Sequence, residues 1–161
     1  MLNFRDLYET YAADVYRFAL SLSGERTEAE DITSETFIRA WAKRETIQTE
    51  TLKAYLFTIA RNIYLSHLRK NKREEPLVDI HPDPLPGPDR SVESQSELRR
   101  IHALLNTMPE TDRAAFVMRV QHELPYREIA RALQLSVTTA KVKVHRVRKR
   151  LLHDRLKREV T

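Results

Sequence analysis

Apolar residues in this 161-residue chain recur every three or four positions, and no stretch sustains the alternation of a strand. The first run predicts a helix over Phe4–Leu22, with Leu7, Tyr11, Val15, Phe18 and Leu22 on one face. A second spans Glu28–Trp41 behind Thr27, a suitable N-cap, and puts Ile32, Phe37, Ile38 and Trp41 on its apolar side. A third, Leu52–Arg69, turns Leu52, Leu56, Ile59, Ile63 and Leu68 inward. Helical spacing then stops and resumes at Ser94–Leu105, followed by a short helix around Asp112–Val120 and a helix pair within Pro125–Leu151. Pro109 and Pro125 punctuate the last starts, where a missing N–H costs nothing. The expected fold is all-α.

The interruption is Glu74–Val92, EEPLVDIHPDPLPGPDRSV, which holds five of the seven prolines. No helix survives that density. The chain therefore reads as two small helical domains, residues 1–73 and 93–161, joined by a Pro-rich linker at 74–92. Extended, that linker could reach about 60 Å at roughly 3.3 Å per residue. On composition alone it is a passive spacer.

Charge sharpens this division. Residues 1–73 carry 12 Lys/Arg against 10 Asp/Glu, the linker five acids against one arginine, and residues 93–161 carry 15 basic against 8 acidic residues. The positive charge thus gathers at the C-terminal end, behind an acidic connector, which suits a phosphate-backbone ligand. Its densest part is PYREIARALQLSVTTAKVKVHRVRKRL. There Ala140, Val144, Val147 and Leu151 take one helical face, while Lys141, Lys143, Arg146, Arg148, Lys149 and Arg150 occupy the rest. Ser136 is placed as the N-cap, with Thr138 and Thr139 in the first turn. A cationic helix presented by a short preceding helix has the form of a helix-turn-helix reader of the DNA major groove.

Other chemistry is thin. Without cysteine there are no disulfides, thiolate metal sites or cysteine nucleophiles, as suits a reducing compartment. Six histidines are present, but none lies in a spacing that ligates a metal, and no P-loop or nucleophile elbow occurs. We expect no catalytic residue, no metal and no cofactor. The N-terminus, MLNFRDLYETY, lacks the apolar region of a signal peptide, and no apolar run approaches the roughly 20 residues of a membrane span. The expectation is a soluble cytoplasmic protein with no membrane insertion of its own.

Two patches in the first domain stand out. Glu25, Glu28, Glu30, Asp31 and Glu35 make the entry of the second helix acidic, which its dipole partly explains. Arg61, Arg69, Lys70, Lys72 and Arg73 make the third helix basic, with Tyr55, Phe57 and Tyr64 alongside. Aromatic and basic groups together suit stacking on unpaired bases, although for each aromatic taken alone core packing is the better reading.

Two separated blocks resemble the sigma-70 family of bacterial transcription initiation factors, in its extracytoplasmic-function class. Leu7–Arg44 with Leu52–Arg73 is similar to sigma domain 2, carrying AEDITSETFIRAW at Ala29–Trp41 and LFTIARN at Leu56–Asn62. LPYREIARALQLSVTTAKVKVHRVRKRL is similar to sigma domain 4. The pair, in this order and separation, is far more specific than either alone.

The resemblance implies an alternative sigma factor that binds core RNA polymerase and promoter DNA, recognises −35 and −10 elements and assists melting. It implies polymerase contact through Asp31, Glu35, Phe37 and Arg39. Capture of a flipped base would fall to the loop Lys43–Thr51, including Lys43 and Arg44, and Arg61, Asn62, Tyr64 and Arg69 would hold the melting −10 strand. Extruding a base costs a few kcal/mol, which stacking and backbone charge can offset without ATP. In the −35 reader, Thr138, Lys141, Val142 and His145 would point toward the groove, with Thr139 of the first turn also at the DNA. Lys143, Arg146, Arg148 and Lys149 would flank them at phosphates. The linker would thread the polymerase cleft, and an anti-sigma protein would be a regulatory partner. Departures from the family pattern are Gln134 where glycine is usual, Ala140 for a larger apolar residue, Val142 for a small polar one and Ser66 for aspartate. The rival reading is a stand-alone helix-turn-helix regulator. Against it, residues 1–73 show no β/α alternation of a receiver domain.

Overall fold

The computed structural model describes residues 3–47, 51–73 and 92–160. Within them lie seven α-helices and no strand. The chain divides into two compact units, residues 1–83 and 84–161. The expected linker lies, apart from Val92, outside the described residues.

In the first unit α1 (Phe4–Ser23), α2 (Arg26–Ala42) and α3 (Leu52–Arg73) pack on one another pairwise. Asn3 caps α1, its side chain accepting the Arg5 N–H at 2.9 Å. Gly24 ends that helix at φ 71°, in the left-handed region, and donates its N–H to Leu20 O. The helix α2 begins two residues before the expected Glu28. Thr27 therefore lies inside the first turn, and Glu25 occupies the cap position with no side-chain capping bond. The core is aromatic. Phe18 and Phe57 stack with centroids 4.4 Å apart and rings 8° from parallel, and Phe37 meets Tyr8 edge-on at 5.1 Å. Val15, Leu22, Ile32, Leu56 and Ile63 are buried around them. Each such side chain contributes about 1.5–3 kcal/mol by leaving water. Thr33 and Thr36 are also buried, and their hydroxyls donate to Ala29 O and Ile32 O one turn back, so neither is an uncompensated polar group.

In the second unit α4 (Val92–Asn106) precedes α5 (Glu110–Phe116), which continues as a π turn over Val117–Gln121. Then come α6 (Tyr126–Leu133) and α7 (Val137–Val160). Pro109 and Pro125 stand immediately before α5 and α6, as expected of residues that fix φ but cannot donate. Ala114, Ala115, Val117, Met118, Ile129, Leu133, Ala140, Val144 and Val147 form the core. Leu151, expected inward with them, is only half-buried.

Candidate nucleic-acid interface

The α6–α7 pair is a helix-turn-helix with a defined local cause at each step. After α6, Gln134 sits in the left-handed region at φ 57°, ψ 49°. That geometry lets the Leu135 N–H reach back to Ala130 O at 2.8 Å. A Cβ in this region costs about 1–2 kcal/mol, the consequence of having glutamine where glycine is usual. Two residues later Ser136 caps α7, its Oγ accepting the Thr139 N–H at 3.1 Å and donating to Thr139 Oγ1 at 2.8 Å. Ala140, Val144 and Val147 face inward, fully buried. Thr138, Lys141, Val142 and His145 consequently form an exposed stripe, with Val142 47% accessible. Thr139, Arg146, Arg148 and Lys149 are exposed as well. The exposed apolar Val142 makes this stripe partly apolar, a surface that can contact a thymine methyl.

One candidate is not where the sequence puts it. Lys143 is only half-exposed, and its Nζ donates to Asp112 Oδ1 at 2.8 Å. Asp112 lies in the first turn of α5 and is 1% exposed; its Oδ2 accepts from Arg146 Nη1 at 3.3 Å. A carboxylate without solvent attracts the nearest cations, so Lys143 turns toward the domain rather than to a flanking phosphate. Asp112 was missed because it stands 31 residues from Lys143. Beside the stripe, the Tyr126 ring has the Arg119 guanidinium 4.5 Å and the Lys141 ammonium 5.8 Å from its centroid, both within cation–π range.

In the first unit, Asp31, Ser34, Ile38 and Arg39 are exposed on α2, with Glu35 beside them. Glu35 and Arg39 form an i,i+4 ion pair at 2.6 Å. Phe37 does not belong to this surface. It is 1% exposed in the aromatic core, because α2 turns that position toward Tyr8. Its neighbour Ile38, expected inward, is 67% exposed and shares the outer stripe with Asp31 and Glu35. At the other end of the α2 face, His67 of α3 lies 3.5 Å from Glu28 and 3.8 Å from Glu35. The Glu28 carboxyl is held above its ordinary range, mainly by burial; His67 opposes that and Glu25 and Asp31 add to it.

The other expected DNA contacts divide. Lys43, Arg44, Asn62 and Arg69 are exposed, and Arg61 is half-buried. Arg44 lies over the Trp41 ring at 4.3 Å and donates to Trp41 O at 3.0 Å. Tyr64 is 6% exposed, so its ring packs in the core instead of offering a stacking face. Residues 48–50 of the expected base-capture loop lie outside the described residues. Among the described residues no group of three acidic or histidine side chains could hold a metal ion, and no helix is long and apolar enough to cross a membrane.

Comparison with known proteins adds independent information. Residues 7–74 match the family described as Sigma-70 region 2, and residues 98–151 match Sigma-70, region 4. The chain is 30% identical to the ECF RNA polymerase sigma factor SigM of Bacillus subtilis (strain 168), covering 91% of each chain. It is 31% identical to the ECF RNA polymerase sigma factor SigE of Mycolicibacterium smegmatis, over 94% of this chain and 61% of that one. Among solved structures it superposes on the sigma factor RpoE of Bartonella quintana, crystallised with the anti-sigma factor NepR. The TM-score is 0.81 at 30% identity, covering 93% of this chain and 94% of that one.

Proposed function

The chain belongs to the extracytoplasmic-function group of the sigma-70 family, and from that premise we propose how its surfaces divide the work of promoter recognition. It is an alternative sigma factor in transcription initiation, with core RNA polymerase and promoter DNA as its partners. The observation that carries the division is the exposed Thr138–Lys141–Val142–His145 stripe, backed by buried Ala140, Val144 and Val147. In our reading α7 enters the major groove at −35, that stripe meets base edges, and Arg146, Arg148 and Lys149 contact phosphates.

The first unit holds the enzyme and the opened strand. We assign polymerase contact to Asp31, Glu35 and Arg39, with Ile38 as the apolar member in place of the buried Phe37. Lys43, Arg44, Arg61, Asn62 and Arg69 are assigned to the single-stranded −10 segment. Cations follow its backbone, and Arg44 with Trp41 extends a flat surface against which a base can stack. Bond chemistry stays with the polymerase; this chain contributes position and strand capture. Such work places it in the cytoplasm. The match to a sigma factor solved with an anti-sigma factor supports an anti-sigma protein as regulator here too. A stand-alone DNA-binding regulator is disfavoured, because such a protein has no use for a sigma region 2 unit.

The test is reconstitution. Purified protein should co-elute with bacterial core polymerase and let it start transcription at specific sites. DNA binding without polymerase association would contradict the reading.

A further inference from the structure

Asp112 stands out as a buried carboxylate in a unit whose outer surface is basic. At 1% exposure it accepts from two cations of α7, Lys143 and Arg146. Both residues belong to the helix assigned to the −35 groove, and in sequence both look like phosphate contacts. We propose that Asp112 is a specificity-determining positioning residue, an internal counter-ion that withholds Lys143 and part of Arg146 from the DNA backbone. The proposal rests on the −35 reading above and extends it.

The physical case has three parts. First, affinity for any duplex rises with each phosphate neutralised, whereas discrimination comes only from base contacts. A reading helix as basic as α7 therefore binds wrong sequences well unless some of its charge is engaged elsewhere. Second, the engaged cations are those on the flank nearest the protein. The Lys143 side chain is 19% exposed and committed to Asp112, while Arg146 is 63% exposed and keeps donors free. Third, the pairing ties α7 to α5 at a point beside buried Val144 and Val147, where a rotation would misplace Lys141 and His145. A carboxylate in the interior restrains that rotation more sharply than apolar contact alone, because breaking one side of a buried ion pair leaves the other charge uncompensated.

A purely structural role predicts the opposite sign in one measurement. If Asp112 merely supports the fold, neutralising it weakens binding to every duplex. If it withholds cations, neutralising it strengthens binding to wrong sequences. Wild type, Asp112→Asn, Lys143→Gln and the double variant would each be assembled with bacterial core polymerase. Two probes are used: a duplex with a scrambled −35 region, titrated over a range of salt, and a duplex library randomised over that region, with selected molecules sequenced. Asp112→Asn is expected to tighten binding to the scrambled duplex, and to steepen the log–log salt slope by about 0.9 for the phosphate contact that the released Lys143 adds. It is also expected to flatten the selected motif. Lys143→Gln alone should leave the slope unchanged, yet remove most of the gain in the Asp112→Asn background.

The proposal is overturned if Asp112→Asn melts like wild type and leaves slope and motif unaltered, or weakens all binding equally. Should Asp112→Asn fail to fold, Lys143→Gln decides alone. A slope shallower by about 0.9 would mean that Lys143 touches phosphate in the native protein, and the proposal fails. A wild-type complex that selects no motif would instead sink the −35 assignment itself, and this inference with it.

Discussion

The two units hold their functional helices by different means. In the first, α2 and α3 are fixed by large aromatic and aliphatic side chains, Phe18 on Phe57 and Phe37 against Tyr8, and the buried Thr33 and Thr36 are satisfied within their own helix. In the second, α7 rests on small side chains, Ala140, Val144 and Val147, and is oriented by a buried ion pair to α5. On the proposed division of roles, the difference suits the partners. A unit that grips a large protein and a flexible strand needs a firm body with a varied surface. A unit that reads a duplex needs its helix close to the domain, at a set rotation, with its excess charge controlled.

This contrast can be broken at several points, in descending order of effect. Phe57→Ala removes half of the aromatic stack and should destabilise the first unit by about 3–5 kcal/mol, read as a loss of denaturation midpoint and of polymerase association together. A cost below about 1 kcal/mol would mean that the stack is not what holds α1 to α3. Lys141→Ala should weaken binding to the preferred −35 sequence by about 1–3 kcal/mol while sparing scrambled duplex. Arg148→Ala should weaken both alike and flatten the salt slope by about 0.9. Equal behaviour of these two variants on every duplex would erase the division between base and phosphate contacts. Gln134→Gly, which relieves the left-handed strain between α6 and α7, should raise stability by about 1 kcal/mol with DNA preference unchanged.

The smallest effect concerns the acidic side of α2. Burial raises the Glu28 carboxyl above its ordinary value in the folded state. Its contribution to stability is therefore complete below the unfolded value of about 4.3 and is lost as pH rises through the higher folded value. Glu28→Gln should accordingly be slightly more stable than wild type at pH 7, with the advantage vanishing at pH 4. The opposite order at pH 7 would show that the His67 contact outweighs burial.

Much of this architecture was legible beforehand because it rests on local rules. The 3.6-residue spacing located every described helix, Pro109 and Pro125 marked two starts, and Ser136 took the capping place expected of it. Gln134 was legible only as a departure from the usual glycine; that it takes the left-handed region itself is seen in the structure. What failed depends on three-dimensional neighbours. Phe37 and Ile38 are adjacent and both apolar, so periodicity could not decide which faces out; the packing of α1 on α2 does, and it buries Phe37. Tyr64 likewise follows the core rather than the strand it was expected to stack. The pairing of Asp112 with Lys143 crosses 31 residues and two helices, beyond any spacing rule. Charge alone could not separate a lysine aimed at phosphate from one aimed at the protein.

The central claim is that one unit captures the opened −10 strand while the other reads −35 as duplex. It is tested most directly by transcription from a promoter template mismatched over −10, so that those bases are already unpaired, alongside the fully paired template. Arg61→Ala and Asn62→Ala should lose initiation on paired DNA and recover much of it on the pre-opened template. Lys141→Ala should remain impaired on both. Recovery of Lys141→Ala by pre-opening, or no recovery of the α3 variants, would contradict the division of labour assigned to the two units.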